Sequence, residues 1–289
     1  MRYGFVIPNG DVHTVAALAR EIEEAGWDGA FYWDGIYAGP ETPVLDPWVT
    51  GAAMALATSR VRIGAVLSPL SRRRPWKVAR EAATLDQLSG GRLVMPVGLG
   101  APDSFGPFGE VTDRRERAEL LDESLQILVG LWRGEPFGFQ GKHYQFPEVT
   151  FLPAPTQAGG VPLWVVGAWG SERSMARALR HDGLLPNKLN PDRTHAAITP
   201  DDIRAIREYV AARRPPGKPF EIIAEGTTPT GDPDAAAAQV RPYAEAGATW
   251  WIESPWTPPN GPAELRARIA QGPPRGVRRG CGGEGYGQG

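Results

Sequence analysis

Residues 61–100 read VRIGAVLSPLSRRRPWKVAREAATLDQLSGGRLVMPVGLG, and this stretch predicts the fold. Residues 61–70 are mostly apolar without clean alternation, which is typical of a strand buried on both faces in a parallel sheet. Pro75 stands where a first helical turn tolerates proline, and Gly90-Gly91 suits a left-handed helix end. Residues 93–99 form a second apolar run. The stretch therefore predicts a strand–helix–strand unit of a parallel sheet.

The rest of the chain repeats this alternation. We predict eight strands, mostly separated by helical patterns, within residues 3–8, 29–34, 61–70, 93–99, 163–166, 183–185, 221–225 and 249–253. Eight alternations favour closure of the sheet, so the predicted class is α/β, a single (β/α)8 TIM barrel. We expect one domain over residues 1–271 because no low-complexity linker interrupts it.

Two segments depart from a plain barrel. Between the fourth and fifth strands we expect an insertion, about residues 101–160, containing a helix over Arg117–Trp132 and a small hairpin around residues 137–146. Residues 272–289 are glycine-rich and are predicted to be disordered.

Composition excludes several classes of function. The 289 residues carry a formal net charge of −2, which gives no indication of a nucleic-acid partner, and no apolar run approaches a membrane span. The single cysteine, Cys281, excludes an internal disulfide, and with no signal peptide at the start a cytoplasmic protein is expected. The four histidines are scattered, so no metal site is predicted.

Several segments of the chain resemble the bacterial luciferase-like monooxygenase family. They are ATLDQLSGGRLVMPVGLG (residues 83–100), GWDGAFYWD (26–34), DPW (46–48), ATSRVRIG (57–64), RAELLDESLQILVGLW (117–132) and PLWVVG (162–167). The family consists of oxidoreductases that use flavin or deazaflavin on a (β/α)8 barrel. The resemblance thus implies an enzyme, a small organic substrate, and either FMN or coenzyme F420 as cofactor.

The candidate site lies at the carboxyl ends of the strands, as in other barrels. After the fifth strand, Gly167, Ala168, Trp169, Gly170 and Ser171 open a helix, and on sequence alone an anion site and an ordinary turn with Ser171 as N-cap are equally good interpretations. The resemblance favours the cofactor phosphate here. It also implies a non-proline cis peptide at Ala65-Val66 against the ring, with Gly98 and Gly100 at the ring edge.

One position departs from the family pattern. Many relatives place a histidine that works as an acid or base directly behind the acidic residue after the second strand, whereas this chain has Asp34-Gly35. Asp34 is therefore the candidate catalytic residue, with a cap or salt bridge as the alternative. Arg72, Arg73 and Arg74 are either a second phosphate clamp or a solvated basic loop.

Three hypotheses for function follow. The first is a luciferase-like oxidoreductase, either a monooxygenase using reduced FMN from a separate flavin reductase or an enzyme that transfers hydride with F420. The second is a non-catalytic flavin-binding relative. The third is a non-redox barrel acting on a phosphorylated metabolite through Glu225, Glu253 and Lys188. Relatives commonly dimerise through helices of the amino-terminal half, so a homodimer is expected, with Trp48 or Trp76 at the contact.

Overall fold

The eight predicted strands close into a barrel. The computed structural model describes residues 1–192, 194–215, 217–257 and 261–275. The barrel strands are β1 (Arg2–Val6), β2 (Gly29–Tyr32), β3 (Arg62–Ala65) continued by β4 (Ser68–Pro69), β5 (Met95–Gly98), β8 (Leu163–Ala168), β9 (Gly183–Leu189), β11 (Glu221–Gly226) and β12 (Trp250–Glu253). Parallel pairing runs in the order β3-β2-β1-β12-β11-β9-β8-β5-β4. A parallel bridge from Ile63 to Leu93 then closes the circle between β3 and the start of the β5 segment.

Helices follow the strands around the outside. Those described are α1 (Val12–Glu24), α2 (Pro47–Ala57), α3 (Pro75–Leu88), α4 (Arg114–Leu131), α5 (Glu172–Ala178), α6 (Pro200–Arg213), α7 (Pro233–Ala246) and α8 (Gly261–Ala270). Asp46 and Asp232 accept backbone N–H groups at the starts of α2 and α7, as their N-cap positions predict. No helix in the described ranges is long and apolar enough to cross a bilayer.

The interior is divided into two apolar clusters. The inner cluster fills the barrel and includes Phe31, Val66, Trp164, Ile223 and Trp250. The outer, larger cluster packs the other faces of the strands against the helices. Because side chains alternate along each strand, membership of a cluster shows which face of the barrel wall a residue occupies.

A hairpin lies between the fourth and fifth barrel strands. It consists of β6 (Pro136–Gln140) and β7 (Gln145–Thr150), which pair antiparallel after α4. The Glu123 carboxylate on α4 accepts the backbone N–H groups of Lys142, His143 and Tyr144, and so fixes the hairpin turn to the helix. The segment predicted there as a helix and a hairpin therefore has both.

Four residues of the predicted glycine-rich tail, 272–275, are described. Gly272 and Pro274 are buried, and the Arg275 guanidinium donates to the Asp28 carboxylate at 2.9 Å. Residues 276–289, which include Cys281, lie outside the described residues.

The TLDQLSGGR run, residues 84–92, stabilises one end of the barrel. The Arg92 guanidinium donates to the carbonyl oxygens of Ala55, Thr58, Val61 and Ser89, and so ties the end of α2 to the end of α3. Fully buried Asp86 accepts two N–H groups from Gln157. These contacts lie at the amino-terminal foot of strands β3 and β5, where barrel residues serve stability.

Candidate active site at the carboxyl ends of the strands

The mouth of the barrel is lined by residues that lie on the inner face of the strands, nearer their carboxyl ends than the inner cluster. Val166 packs on that cluster and Ile223 belongs to it, so alternation places Ala168 and Glu225, two residues further along, on the same face at the mouth. Asn187 pairs with Ala168 in the ladder between β8 and β9. The mouth therefore presents a carboxylate and an amide from neighbouring strands.

The two predicted ring-edge glycines are required by the protein's own packing. A Cβ at Gly98 would lie 3.1 Å from a Val166 methyl group and 3.3 Å from a Leu67 methyl group. Gly100 has a φ of +71°, and a Cβ there would lie 2.6 Å from the Pro69 Cβ. Both glycines lie next to the third barrel strand, as predicted, and their contact with a cofactor remains a proposal.

The non-proline cis peptide lies one residue later than predicted. It joins Val66 to Leu67, not Ala65 to Val66. The reason is that the ladder with β2 runs on through Val66, whose N–H donates to the Tyr32 carbonyl at 2.8 Å. The chain leaves regular pairing only after this bond, and Val66 itself is buried in the inner cluster.

The loop after β8 opens α5 without a side-chain cap. Ser171 occupies the N-cap position, as the ordinary-turn alternative predicts, but its side chain accepts no N–H of the helix. Gly170 has a φ of +91°, and no atom of the described residues lies within 4 Å of the place where its Cβ would be. Ala168 N–H is satisfied by Ser174 Oγ, and Trp169 packs edge-on against Tyr209. The helix start therefore leaves N–H groups and open space for an anion.

Asp34 is held by two arginines. Its carboxylate accepts from Arg72 and, at 2.8 and 3.0 Å, from Arg73. The Asp34 side chain is fully buried, while those of Arg72 and Arg73 are 7% and 15% exposed. Asp34 is thus a salt-bridge partner, which was the alternative to a catalytic role. Arg72 and Arg73 are therefore largely buried beside Asp34 and do not form a solvated loop.

Trp33 explains why glycine stands at position 35. Its indole N–H donates to the Pro8 carbonyl at 2.6 Å, which holds the ring over the end of β2. A Cβ at Gly35 would collide with that ring. Trp33 therefore takes the space that a side chain at position 35 would need.

The Glu225–Glu253 pair of the non-redox hypothesis does not form. Glu253 points to the outer face of the wall, where the side chain is fully buried and accepts from Thr228 and Arg268. Lys188 donates to both carboxylate oxygens of Asp202, at 2.8 and 2.9 Å. Of Glu225, Glu253 and Lys188, only Glu225 faces the mouth. It lies two residues after Ile223 of the inner cluster, whereas Glu253 and Lys188 each lie an odd number of residues from the inner-cluster residues of their own strands, Ile252 and Leu185.

Sequence reasoning missed one residue of the mouth. His195 lies on β10 (His195–Ala196), which folds back antiparallel onto β9, and His195 Nδ1 is 3.0 Å from Asn187 Oδ1. A strand of two residues, His195 and Ala196, gives no signal in the sequence.

Comparisons with known proteins identify the family. The model of the luciferase-like monooxygenase family matches residues 1–276. The chain belongs to this family. It is 32% identical over 244 residues to an uncharacterized protein of Mycobacterium tuberculosis, covering 77% of this chain and 80% of that one. It is 32% identical over 177 residues to the F420-dependent glucose-6-phosphate dehydrogenase of Nakamurella multipartita, covering 59% and 51%.

A solved structure confirms the fold. The coenzyme F420-dependent tetrahydromethanopterin reductase of Methanopyrus kandleri superposes with a TM-score of 0.74 at 16% identity, covering 93% of this chain and 96% of that one. The predicted TIM barrel and luciferase-like family are thus both confirmed, and a luciferase-like barrel is an oxidoreductase scaffold rather than the non-redox barrel of the third hypothesis.

The residues at the mouth fit a coenzyme of this kind. A phosphorylated flavin or deazaflavin needs an anion site at one end and a flat apolar surface at the other. The uncapped start of α5, open beside Gly170, supplies the first. Leu67, Gly98 and Val166 supply apolar contact at the mouth for the second.

Proposed function

We propose that this protein is an oxidoreductase that transfers hydride between a small organic substrate and coenzyme F420. The observation that carries the choice is the 32% identity to an F420-dependent dehydrogenase over 59% of the chain, because the mouth suits the ring of either coenzyme. When bound, the deazaflavin supplies the two-electron redox chemistry. The non-catalytic hypothesis is not favoured, because the matched family is one of monooxygenases and a named relative is a dehydrogenase.

The protein's own residues bind and orient in this proposal. Gly167, Ala168, Trp169, Gly170 and Ser171 form the loop beside the phosphate. Because the N–H groups of Ala168, Trp169 and Ser171 are already bonded within the protein, the N–H groups of the first turn of α5 hold the phosphate. Ala65, Val66, Gly98 and Gly100 border the ring. Asp34 keeps Arg72 and Arg73 folded under the mouth, so it acts as a positioning residue in place of the catalytic role predicted from sequence.

Titration with both coenzymes tests the proposal. We expect oxidised F420 to bind with micromolar Kd, followed by quenching of its fluorescence, and FMN to bind more weakly. Ser171→Asp places a carboxylate at the helix start and should weaken F420 binding about tenfold or more, whereas Ser171→Ala at the same position should not. Tight FMN binding without F420 binding would move the assignment to flavin monooxygenation, with a separate reductase. Binding of neither would refute it.

We also propose a homodimer formed through the amino-terminal helices. Val49 and Leu56 on α2 are 62% and 74% exposed, and Trp76 and Leu88 on α3 are 39% and 45% exposed. Large apolar side chains on two adjacent helices are typical of a subunit contact. A cytoplasmic location remains a prediction from the sequence.

A further inference from the structure

A cavity of about 460 Å³ lies beside α8 at the carboxyl ends of β11 and β12. Its walls are the loop after β11 (residues 227–230), the loop after β12 (residues 254–257) and the side chains of residues 264, 265 and 268 on α8. Sites for small organic molecules in proteins have volumes of about 300–1,000 Å³. The cavity is therefore large enough for a ligand with one or two rings.

The cavity lies behind the barrel wall and not in the mouth. Ile252 belongs to the inner cluster, so Glu253, the next residue of β12, points to the outer face. Thr228 and Arg268 bind Glu253 on that face, and both line the cavity. The contacts proposed for the coenzyme follow β3, β5 and β8 instead. A molecule in the cavity thus occupies a site apart from the one proposed for the coenzyme.

The charged groups of the cavity already have partners. All three guanidinium nitrogens of Arg268 donate, to the Thr228 hydroxyl, to the Gly272 carbonyl at 2.8 Å and to the Glu253 carboxylate at 3.2 Å. The buried Glu253 carboxylate thereby balances the buried guanidinium. Glu264, on the wall, is not free either. Because an ionic ligand would lose water here without gaining a counter-ion, the lining favours an uncharged ligand.

Trp256 gives the cavity a flat apolar wall. Its side chain is 45% exposed, and within the described ranges its ring contacts no other aromatic ring or guanidinium. Pro229, Pro255 and Leu265 extend this apolar surface. Aromatic rings gain from offset stacking or edge-on packing beyond the area that they bury. The wall therefore favours an aromatic ring over an aliphatic ring of the same size.

Two threonines supply hydrogen-bonding groups at the edge of the cavity. Thr230 and Thr257 are exposed, and neither hydroxyl bonds to another residue in the described part of the chain. A hydroxyl both donates and accepts, so each can bind an amide, hydroxyl or carbonyl group. The edge thus suits a polar substituent on the ring.

We propose that this cavity is a second ligand site, which binds an uncharged aromatic molecule. The ring packs on Trp256, and its polar substituent bonds to Thr230 or Thr257. Such a ligand connects the loop after β11 to α8, as Gln271 already does by accepting from Gly231 N–H and donating to the Pro229 carbonyl. Binding should therefore raise Tm as the ligand concentration rises. The proposal goes beyond the proposed function and does not depend on it.

Four probes of similar size test the proposed chemistry. They are benzamide, the anion benzoate, the cation benzylammonium and the non-aromatic cyclohexanecarboxamide. The protein is labelled with 5-fluorotryptophan at its ten tryptophans, and the ¹⁹F resonance absent from Trp256→Phe identifies Trp256. Benzamide should shift this resonance along a saturable curve with a roughly millimolar Kd. Both ions should bind at least about tenfold more weakly, and cyclohexanecarboxamide about threefold or more.

Two tryptophan substitutions locate the bound probe. Thr230→Trp places a large ring at the edge of the cavity and should abolish benzamide binding, measured by saturation transfer to the probe. Thr42→Trp is the matched control, because Thr42 is also exposed but lies in the loop after β2. It should bind benzamide as the wild type does. Both positions are exposed, so both variants should keep the wild-type Tm.

Three results would overturn the proposal. The first is a Trp256 resonance that benzamide does not shift at any concentration up to its solubility. The second is benzoate or benzylammonium binding as tightly as benzamide. The third is benzamide binding that persists in Thr230→Trp, or that saturating F420 displaces, since either places the probe outside this cavity. Failure of F420 to bind would refute the proposed function and leave the benzamide results unchanged, so the two failures are distinguishable.

Discussion

The clearest test of the site concerns Asp34, for which sequence and structure suggest different roles. Asp34→Asn keeps the shape of the side chain and removes its charge. In the wild-type protein the fully buried carboxylate binds both Arg72 and Arg73, whose side chains are only 7% and 15% exposed, and offsets one of their two positive charges. The variant leaves two nearly dehydrated guanidinium groups beside each other without an anion.

The expected cost follows from this burial. Removal of one partner from a buried ion pair destabilises proteins by about 3–5 kcal/mol, since the remaining charge stays desolvated. At roughly 2–4 °C for each kcal/mol in a large domain, Tm should fall by about 6–20 °C. Burial already lowers the pKa of Arg72, and removal of the Asp34 charge that opposes this shift would lower it further.

Urea unfolding followed by circular dichroism measures this effect. The matched control is Glu81→Gln, which breaks the Lys77–Glu81 pair, where the lysine side chain is 66% exposed, and should cost less than about 0.5 kcal/mol. The reasoning is refuted if Asp34→Asn unfolds within about 1 kcal/mol of the wild type. If that stable variant also lost kcat and the corresponding limb of its pH profile, Asp34 would be the acid or base predicted from the sequence.

Three further outcomes are expected. Burial, followed by the charge of Arg180, lowers the pKa of His181 to about 4, so the neutral ring stabilises the folded state above pH 6.5. At most about 3 kcal/mol is lost as pH falls from 6.5 to about 4, and urea unfolding of His181→Gln should lack this loss. Leu56→Glu should convert the proposed dimer to monomer in light scattering, whereas Trp256→Glu, also exposed but in the loop after β12, should not. Arg92→Ala should lower the free energy of unfolding by about 3–5 kcal/mol, because several carbonyl oxygens lose their donor.

The fold could be predicted from the sequence because each barrel strand has its own local signal. Apolar runs followed by helical patterns located all eight strands, including the short one at Gly183. The third strand shows the limit of this approach. Residues 61–70 read as one run, but the structure divides them into β3 and β4 around the Val66–Leu67 bond. Apolar composition does not reveal where a strand leaves its ladder.

The site was less predictable because it depends on contacts between loops. The pairing of Asp34 with Arg72 and Arg73 brings together the ends of two adjacent strands, 38 and 39 residues apart. Because β4 continues β3, the neighbour of β2 in the barrel, this contact was foreseeable in principle. His195 was not foreseeable, because its place at the mouth depends on a two-residue strand that pairs with the end of β9.

The separation of structural residues from site residues explains how glycine at position 35 is compatible with the fold. The TLDQLSGGR run stabilises the foot of the barrel through Arg92 and Asp86, far along the strands from the mouth. The ends of all eight strands converge on one opening, so the side chains that line it come from different strands and can differ between proteins of one fold. At the end of β2, Trp33 fills the space beside Gly35, and Asp34 is held by Arg72 and Arg73. We therefore expect a proton donor or acceptor for the proposed reaction to come from the end of another strand.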